Sequence, residues 1–300
     1  MQPNAARSAR DTFLGAAAAT LAVAYLLAAA ANIETYVDNL AREPAGLFDN
    51  AYYAASLWVT VSLYLLLVAA FVVIAVAFFS GGAARGPRLG CGALILAGGF
   101  GLMMPAAVLA CFFFSDPFVP EGLLSAMIMR VVAGLSALIA ALLVATTFGR
   151  PRFASALGAM ARNRRLGWAS IGVGVAFVLL LLSGFITVPV GEDGWSVDLA
   201  DAVSLAAIAA IAAALVATIG FFGAARSYLV PASRTMARRE GVLAIAATLF
   251  LLYRLLDLID LRHQASWLWR SESVALTVAA LCVAAGFVVS RRSFSGHNDP

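Results

Sequence analysis

The chain has 300 residues, of which 63% are hydrophobic and 12% are charged. Water-soluble domains have roughly 45–50% apolar and about 25% charged residues, so this much apolar surface cannot be buried in one soluble core. The formal net charge of +4 rests on 20 basic residues, all arginine, which lie between apolar blocks rather than in one basic patch. This distribution favours membrane orientation over nucleic-acid binding, and we expect membrane lipids rather than nucleic acid as a partner.

Candidate metal and cofactor ligands are few. The two histidines, His263 and His297, lie in a loop and in the tail rather than inside an apolar block. The three cysteines, Cys91, Cys111 and Cys282, have no paired CxxC spacing. The sequence therefore predicts no metal, no haem or other cofactor, and no disulfide framework.

The apolar residues come in continuous blocks of about 20, the length that an α-helix needs to cross a hydrocarbon layer about 30 Å thick. The alternation of apolar and polar residues that is typical of membrane β-barrels is absent. The sequence therefore predicts an all-α, polytopic transmembrane helical bundle that forms one integral membrane domain over residues 1–300. The eight predicted spans lie near residues 12–32, 53–79, 91–114, 123–148, 168–190, 199–224, 242–262 and 273–290.

The first span begins like a signal peptide, because Arg7 and Arg10 precede its apolar stretch. Asn32 and Glu34 follow that stretch without a clear small-residue cleavage site, so we predict a retained first helix. The acidic segment 32–50 that comes next could fold back onto the membrane surface or attract a cation, but the favoured prediction is a solvated loop.

The third span combines glycines with a proline. Gly98, Gly99 and Gly101 are followed by Pro105, which removes a backbone hydrogen bond and clashes with the preceding turn. We therefore expect a bend or an interruption of the helix within about one turn of Pro105. Broken helices in the middle of a membrane can line a binding cavity.

The loop at 150–166 has two interpretations. Phe153, Leu157 and Met160 stand at helical spacing among five arginines, which suits a short helix that lies in the cytoplasmic interface against anionic lipid. The favoured alternative is an ordinary charged loop that only sets the orientation of the chain.

Ionisable residues inside apolar blocks need an explanation, because a charge at the helix centre costs about 2.5–3.5 kcal/mol on insertion scales. In one interpretation they are residues at the water boundary, a snorkelling arginine and one structural ion pair. In the other they form a polar, substrate-binding site in the outer half of the membrane, where an arginine holds an anionic group and the acids orient it or carry a proton. The candidate site residues are Arg130, Asp201, Arg254, Asp257, Asp260 and Glu272.

Three of these candidates share one predicted helix. Arg254, Asp257 and Asp260 follow one another at i, i+3 and i+6, which keeps them within roughly a third of the helix circumference. We therefore expect Arg254 to pair with Asp257 and both side chains to face the bundle interior.

The stretch Tyr253–Asp257, with the sequence YRLLD, and Glu272 at the start of the next span resemble the last two helices of fungal lipid-translocating exporter-like proteins. The resemblance covers about 20 residues. The other spans show no further match, and eight predicted helices exceed the number in that family by one. No function is carried over from this resemblance.

Catalytic motifs such as GxSxG, HExxH, Walker A and GxGxxG after a strand do not occur, so no catalytic residue is predicted.

Three classes of function stay open. A transporter or permease-like protein is favoured by the polar candidates and the third span. A structural or regulatory membrane subunit, or a receptor, would act through partner helices, and a membrane-embedded enzyme would act on lipid.

The loops between the predicted spans alternate in charge. One set consists of the N-terminus, the segments 80–90, 149–167 and 225–241, and the tail, and it holds 15 of the 20 arginines. The other set holds three arginines together with ten acidic residues. Arginine-rich loops stay in the cytoplasm. We therefore predict a multi-pass protein of the cell membrane with both termini cytoplasmic.

Reporter fusions test this orientation. Fusions after Arg292 and within residues 150–165 should report the cytoplasm, and a fusion near Asp193 should report the exterior, because the arginine-rich loops are held inside. A C-terminal reporter that is active outside the cell would contradict the eight-span topology.

Overall fold

A computed structural model of the chain describes residues 3–42, 51–80, 84–113, 121–148, 156–187, 202–229, 236–260 and 266–295. Within these ranges the backbone forms eight helices and no strand, which confirms the predicted all-α helical bundle. The helices are α1 (Pro3–Arg42), α2 (Ala51–Ser80), α3 (Arg85–Phe113), α4 (Glu121–Phe148), α5 (Ala156–Thr187), α6 (Ala202–Leu229), α7 (Met236–Asp260) and α8 (Trp267–Ser295).

The helix lengths fit a membrane. Among the described residues, six helices are long and apolar enough to cross one, namely α1, α2, α4, α6, α7 and α8. The other two, α3 and α5, have 29 and 32 residues. At a rise of about 1.5 Å per residue both exceed the roughly 30 Å of hydrocarbon, and each packs between two of the six. The predicted membrane-helical character is confirmed.

Helix α1 is longer than predicted, because it continues through the first part of the segment 32–50 as far as Arg42. That part of the predicted loop is therefore wrong. Residues 33–42 contain neither glycine nor proline, and the side chains of Asn32 and Thr35 donate hydrogen bonds to carbonyls one turn back.

The segment 150–166 does not form a separate helix where the structure describes it. From Ala156 onward it is the first part of α5, which continues without interruption to Thr187. Neither the separate interfacial helix nor the ordinary loop is therefore correct over residues 156–166. Contact of its arginines with anionic lipid stays a prediction.

Helix α3 is continuous in secondary structure from Arg85 to Phe113, through the glycines and through Pro105. The side chain of Pro105 lies outside the described residues. An interruption of the helix near Pro105 is therefore a wrong prediction, and the bend stays a prediction.

The eight helices form a closed ring. Each packs against the helix before it and the helix after it, and α8 packs against α1. No other pair of helices packs extensively in the part of the chain that the structure describes. Because adjacent helix axes lie about 8–10 Å apart, a ring of eight keeps opposite helices out of direct contact. Side chains that point inward therefore face one another across an interior.

The seam between α1 and α8 closes the ring. Near one end Glu34 accepts a 2.8 Å hydrogen bond from the Ser266 hydroxyl, and near the other end Gly286 lies close to Phe13 and Leu14. The two helices therefore run in opposite directions. The start of α1 and the end of α8 lie at the same end of the bundle.

Small residues form the helix seams. Almost all buried apolar residues of the described ranges are alanines, and only Val61, Leu63 and Leu67 are larger. Large apolar side chains such as Trp58 and Ile219 are exposed instead. Small residues let helix backbones approach closely, which is how helices associate where lipid removes the hydrophobic drive between them.

Gly172 tests this packing, because a larger side chain there would separate α4 from α5. A Cβ at this position would lie 3.1 Å from the backbone oxygen of Ser136 and 3.2 Å from the Cβ of Ala140. We expect Gly172→Leu to lower the free energy of unfolding by about 1–3 kcal/mol through overpacking. SDS titration in mixed micelles measures the change.

Gly98→Leu is the matched control, since nothing lies within 4 Å of the corresponding Cβ position. Removing a glycine from a helix interior is favourable by itself, so this variant should be neutral or more stable. Equal destabilisation by both changes would contradict the account of the seams.

Candidate functional site

Arg254 lies in α7, less than two turns before the helix ends at Asp260, and its side chain is 10% exposed. Its Nη1 lies 2.9 Å from Oδ2 of Asp257, so the ion pair expected from their i, i+3 spacing is present. Its Nη2 donates a 2.8 Å hydrogen bond to the Ser273 hydroxyl on α8. The Tyr253 ring lies beside the guanidinium, with its centroid 5.6 Å from Cζ.

The partners of Arg254 make its burial tolerable. A charge in the membrane interior is retained when it is paired and hydrogen-bonded. Asp257, whose side chain is 30% exposed, supplies the countercharge, and the fully buried Ser273 supplies a neutral acceptor. The Nε atom of Arg254 is buried without a hydrogen-bond partner.

Helices α1 and α2 present aromatic and amide side chains at matching intervals. Tyr25 and Asn32 are seven residues apart on α1, as are Tyr64 and Phe71 on α2, so each pair shares one helix face. The Tyr25 ring stacks on Tyr64, with centroids 5.9 Å apart, and on Phe71, with centroids 5.7 Å apart. Asn32 lies beside the Tyr64 hydroxyl.

Glu272 connects the two halves of this arrangement. It lies on α8, half-buried, within electrostatic range of Arg254 and Asp257 on α7. It is also within range of Tyr25 on α1 and of Tyr64 on α2. Helices α2 and α8 do not pack extensively against each other, so this interaction between Tyr64 and Glu272 does not arise within a shared helix seam.

These side chains come from four consecutive helices of the ring, α7, α8, α1 and α2, and we name them the interior polar cluster. Formally it contains one cation and two carboxylates, with hydroxyl and amide groups around them. Its members are Arg254, Asp257, Glu272, Ser273, Tyr25, Asn32 and Tyr64.

The other candidates from the sequence do not join this cluster in the described structure. Arg130 has an exposed side chain on α4, and α4 packs against α3 and α5, which contribute nothing to the cluster. Asp260 ends α7, but its side chain lies outside the described residues, as does the whole of Asp201. The candidates that the structure brings together are Arg254, Asp257 and Glu272.

The opposite end of the bundle has ion pairs of its own. Arg85, at the start of α3, makes two hydrogen bonds of 2.6 and 2.8 Å to Asp11 near the start of α1, and so links two helices that do not pack extensively. Arg239 lies 2.9 Å from the adjacent Glu240. The Glu240 side chain is 3% exposed, and its Oε2 has no hydrogen-bond partner.

Sequence reasoning missed the uncharged members of the cluster. Tyr25 and Tyr64 lie inside strongly apolar blocks, where a tyrosine attracts less notice than a charge. The available signal was the i, i+7 spacing that places each tyrosine on one face with Asn32 or Phe71. Glu240 was counted as part of a cytoplasmic loop, whereas it is buried near the start of α7.

In the ranges described above, no group of three or more His, Cys, Asp or Glu residues is placed to hold a metal ion. No protein-family model, no curated protein and no solved structure matches the chain. The cluster is therefore interpreted from its own geometry.

The Arg254–Asp257 pair should be measurable as an energetic coupling. Asp257→Asn leaves a buried cation without a countercharge, whereas Arg254→Gln leaves a carboxylate that is 30% exposed and can be hydrated. Asp257→Asn should therefore be the more destabilising change, by up to about 3–5 kcal/mol. The double variant should lose less stability than the two single variants combined.

SDS titration of the four proteins in mixed micelles gives the required free energies of unfolding. Arg162→Gln and Asp38→Asn form the control cycle, because both residues are exposed and lie on helices that do not pack extensively together. Their effects should add. Additive effects in the Arg254–Asp257 cycle as well would refute the coupling.

Proposed function

We propose that the protein is a transporter or permease-like membrane protein that binds a small or amphipathic solute at the interior polar cluster. The observation that carries this proposal is that polar side chains of four helices gather in one region: Arg254 on α7 bonds Ser273 on α8, and the adjacent Glu272 is within electrostatic range of Tyr64 on α2, which does not pack extensively against α8. A purely structural ion pair needs only one helix or one seam. Polar groups that converge across a ring interior are instead typical of side chains that line a solute site.

The state of Glu272 supports this proposal. Among the described residues, no side chain donates a hydrogen bond to its carboxylate or forms an ion pair with it. A carboxylate in a membrane bundle lowers the stability of the fold unless something compensates for it. Arg254 is within electrostatic range but is bonded to Asp257 and Ser273 instead, so a bound solute would supply a direct partner for the Glu272 carboxylate.

The arginine asymmetry of the loops supports an orientation in a cell membrane with both termini cytoplasmic. In that orientation the interior polar cluster would lie in the outer half of the membrane and would receive solutes from outside. The Arg85–Asp11 and Arg239–Glu240 pairs would lie at the cytoplasmic end. The arginines of residues 150–166 would face anionic headgroups of the inner leaflet.

Ligand-dependent stabilisation tests the proposed function. Purified protein in mild detergent is heated with a panel of organic cations, organic anions, zwitterions and uncharged sugars at equal concentration. At least one class should raise Tm, since a ligand that binds only the folded state stabilises it by about 2.7 kcal/mol at 100 times Kd. The solute that gives the largest shift is then tested for uptake into proteoliposomes.

The double variant Arg254→Gln/Asp257→Asn should fold but lose the shift, because it alters the cluster without leaving one unpaired charge. Glu34→Gln is the matched control, since Glu34 accepts a bond from Ser266 outside the cluster and should keep the shift. Absence of stabilisation by every class, together with purification of a stoichiometric membrane partner, would overturn the proposal in favour of a structural or regulatory subunit or a receptor.

A further inference from the structure

Arg254, the only cation in the interior polar cluster, already has a partner within the chain at each of its terminal nitrogens. Its Nη1 pairs with Asp257 and its Nη2 donates a hydrogen bond to Ser273, while its Nε is buried without a hydrogen-bond partner. An anionic solute would have to displace Asp257 or Ser273 to reach the guanidinium. It would then leave the Asp257 carboxylate without its cation.

Glu272 differs from Arg254 because no described side chain is bonded to it. Its carboxylate is half-buried and has no hydrogen-bond or ion-pair partner among the described residues. The nearest charges on α7 cancel formally, since Arg254 is paired with Asp257. The cluster therefore has one formal negative charge in excess, and Glu272 is within electrostatic range of Arg254 but is not bonded to it in the described chain.

Aromatic rings lie within electrostatic range of the Glu272 carboxylate. Tyr25 and Tyr64 are both within electrostatic range of Glu272, and their rings stack at 5.9 Å. The face of an aromatic ring attracts a cation, and this attraction grows where water is excluded. A carboxylate within electrostatic range of tyrosine rings combines two groups that attract an ammonium ion.

We infer that the solute of the interior polar cluster is an organic cation whose charged group pairs with the Glu272 carboxylate beside the rings of Tyr25 and Tyr64. This inference rests on the proposed solute-binding function and narrows its substrate class. The neutralised Arg254–Asp257 pair forms one wall of the site. The single net negative charge selects against anions by repulsion.

Three probes of similar size and different charge test the inference: 2-phenylethylammonium, phenylacetate and 2-phenylethanol. Isothermal titration calorimetry on the purified full chain in detergent measures their binding. We expect the ammonium to bind about tenfold or more tightly than either of the other two, because only it pairs with the desolvated carboxylate.

Substitutions test whether 2-phenylethylammonium binds at Glu272 and Tyr64. Glu272→Gln keeps the shape of the side chain and removes its charge, so the affinity for 2-phenylethylammonium should fall about tenfold or more. Tyr64→Leu keeps the charge and removes a ring, so the affinity should fall severalfold. Glu34→Gln is the control for loss of a carboxylate and should leave the affinity unchanged. If Glu272→Gln does not fold, Tyr64→Leu still provides the test.

The outcomes separate this inference from the function on which it rests. Tighter binding of phenylacetate, with dependence on Arg254, would overturn the cation inference and leave solute binding at the cluster in place. Ammonium binding that survives both Glu272→Gln and Tyr64→Leu would overturn the inference as well. If the folded wild-type protein binds none of the three probes, the inference fails, and the thermal panel decides separately on the proposed function.

Discussion

Close packing of small residues along the helix seams is the constraint on which the rest of this structure depends. In hydrocarbon there is no hydrophobic drive that brings helices together, so van der Waals contact between backbones decides which helices associate. Alanines occupy nearly all buried apolar positions of the described ranges, while the large apolar side chains are exposed. Helix α1, which is rich in buried alanines, packs against both α2 and α8 and so closes the ring.

Ring closure determines where polar side chains can meet. Because α1 stands between α2 and α8, a side chain on its inner face has neighbours from both. Tyr25 is such a residue, since it stacks on Tyr64 and lies within electrostatic range of Glu272. The interior polar cluster is therefore a product of the seams rather than of one helix. A change that opened the α1–α8 seam would separate Glu272 from the aromatic rings without altering any residue of the cluster.

Hydropathy alone predicts the number and type of the helices, because a block of about 20 apolar residues has few alternatives to a membrane helix. It does not predict how far a helix continues into polar sequence. Helix α1 extends to Arg42 and α5 begins at Ala156, in segments where composition indicated loops or a separate helix. In α1 the polar residues 33–42 contain neither glycine nor proline, and local hydrogen bonds such as that of Thr35 to a carbonyl one turn back support the helix. Helix α5, in contrast, continues through Gly158.

The candidate site was likewise predictable from the sequence only in part. The Arg254–Asp257 pair was predictable because both residues lie on one helix, where spacing alone determines proximity. Arg130 carries the same charge in a similar apolar block, but only the order of helices around the ring shows that α4 is remote from α7 and α8. The approach of Tyr64 to Glu272 likewise depends on ring closure, which no local sequence pattern records.

Cross-linking through the ring interior tests the central claim most directly. In a protein whose native cysteines are replaced, Tyr64→Cys with Glu272→Cys places thiols on α2 and α8, and a short bifunctional methanethiosulfonate should join them within one chain. Leu65→Cys with Val274→Cys is the control on the same two helices, because both of these side chains are exposed. The account predicts efficient cross-linking of the first pair and little of the second. Equal cross-linking of both pairs, or cross-linking of the control pair alone, would contradict a ring whose interior brings Tyr64 and Glu272 together.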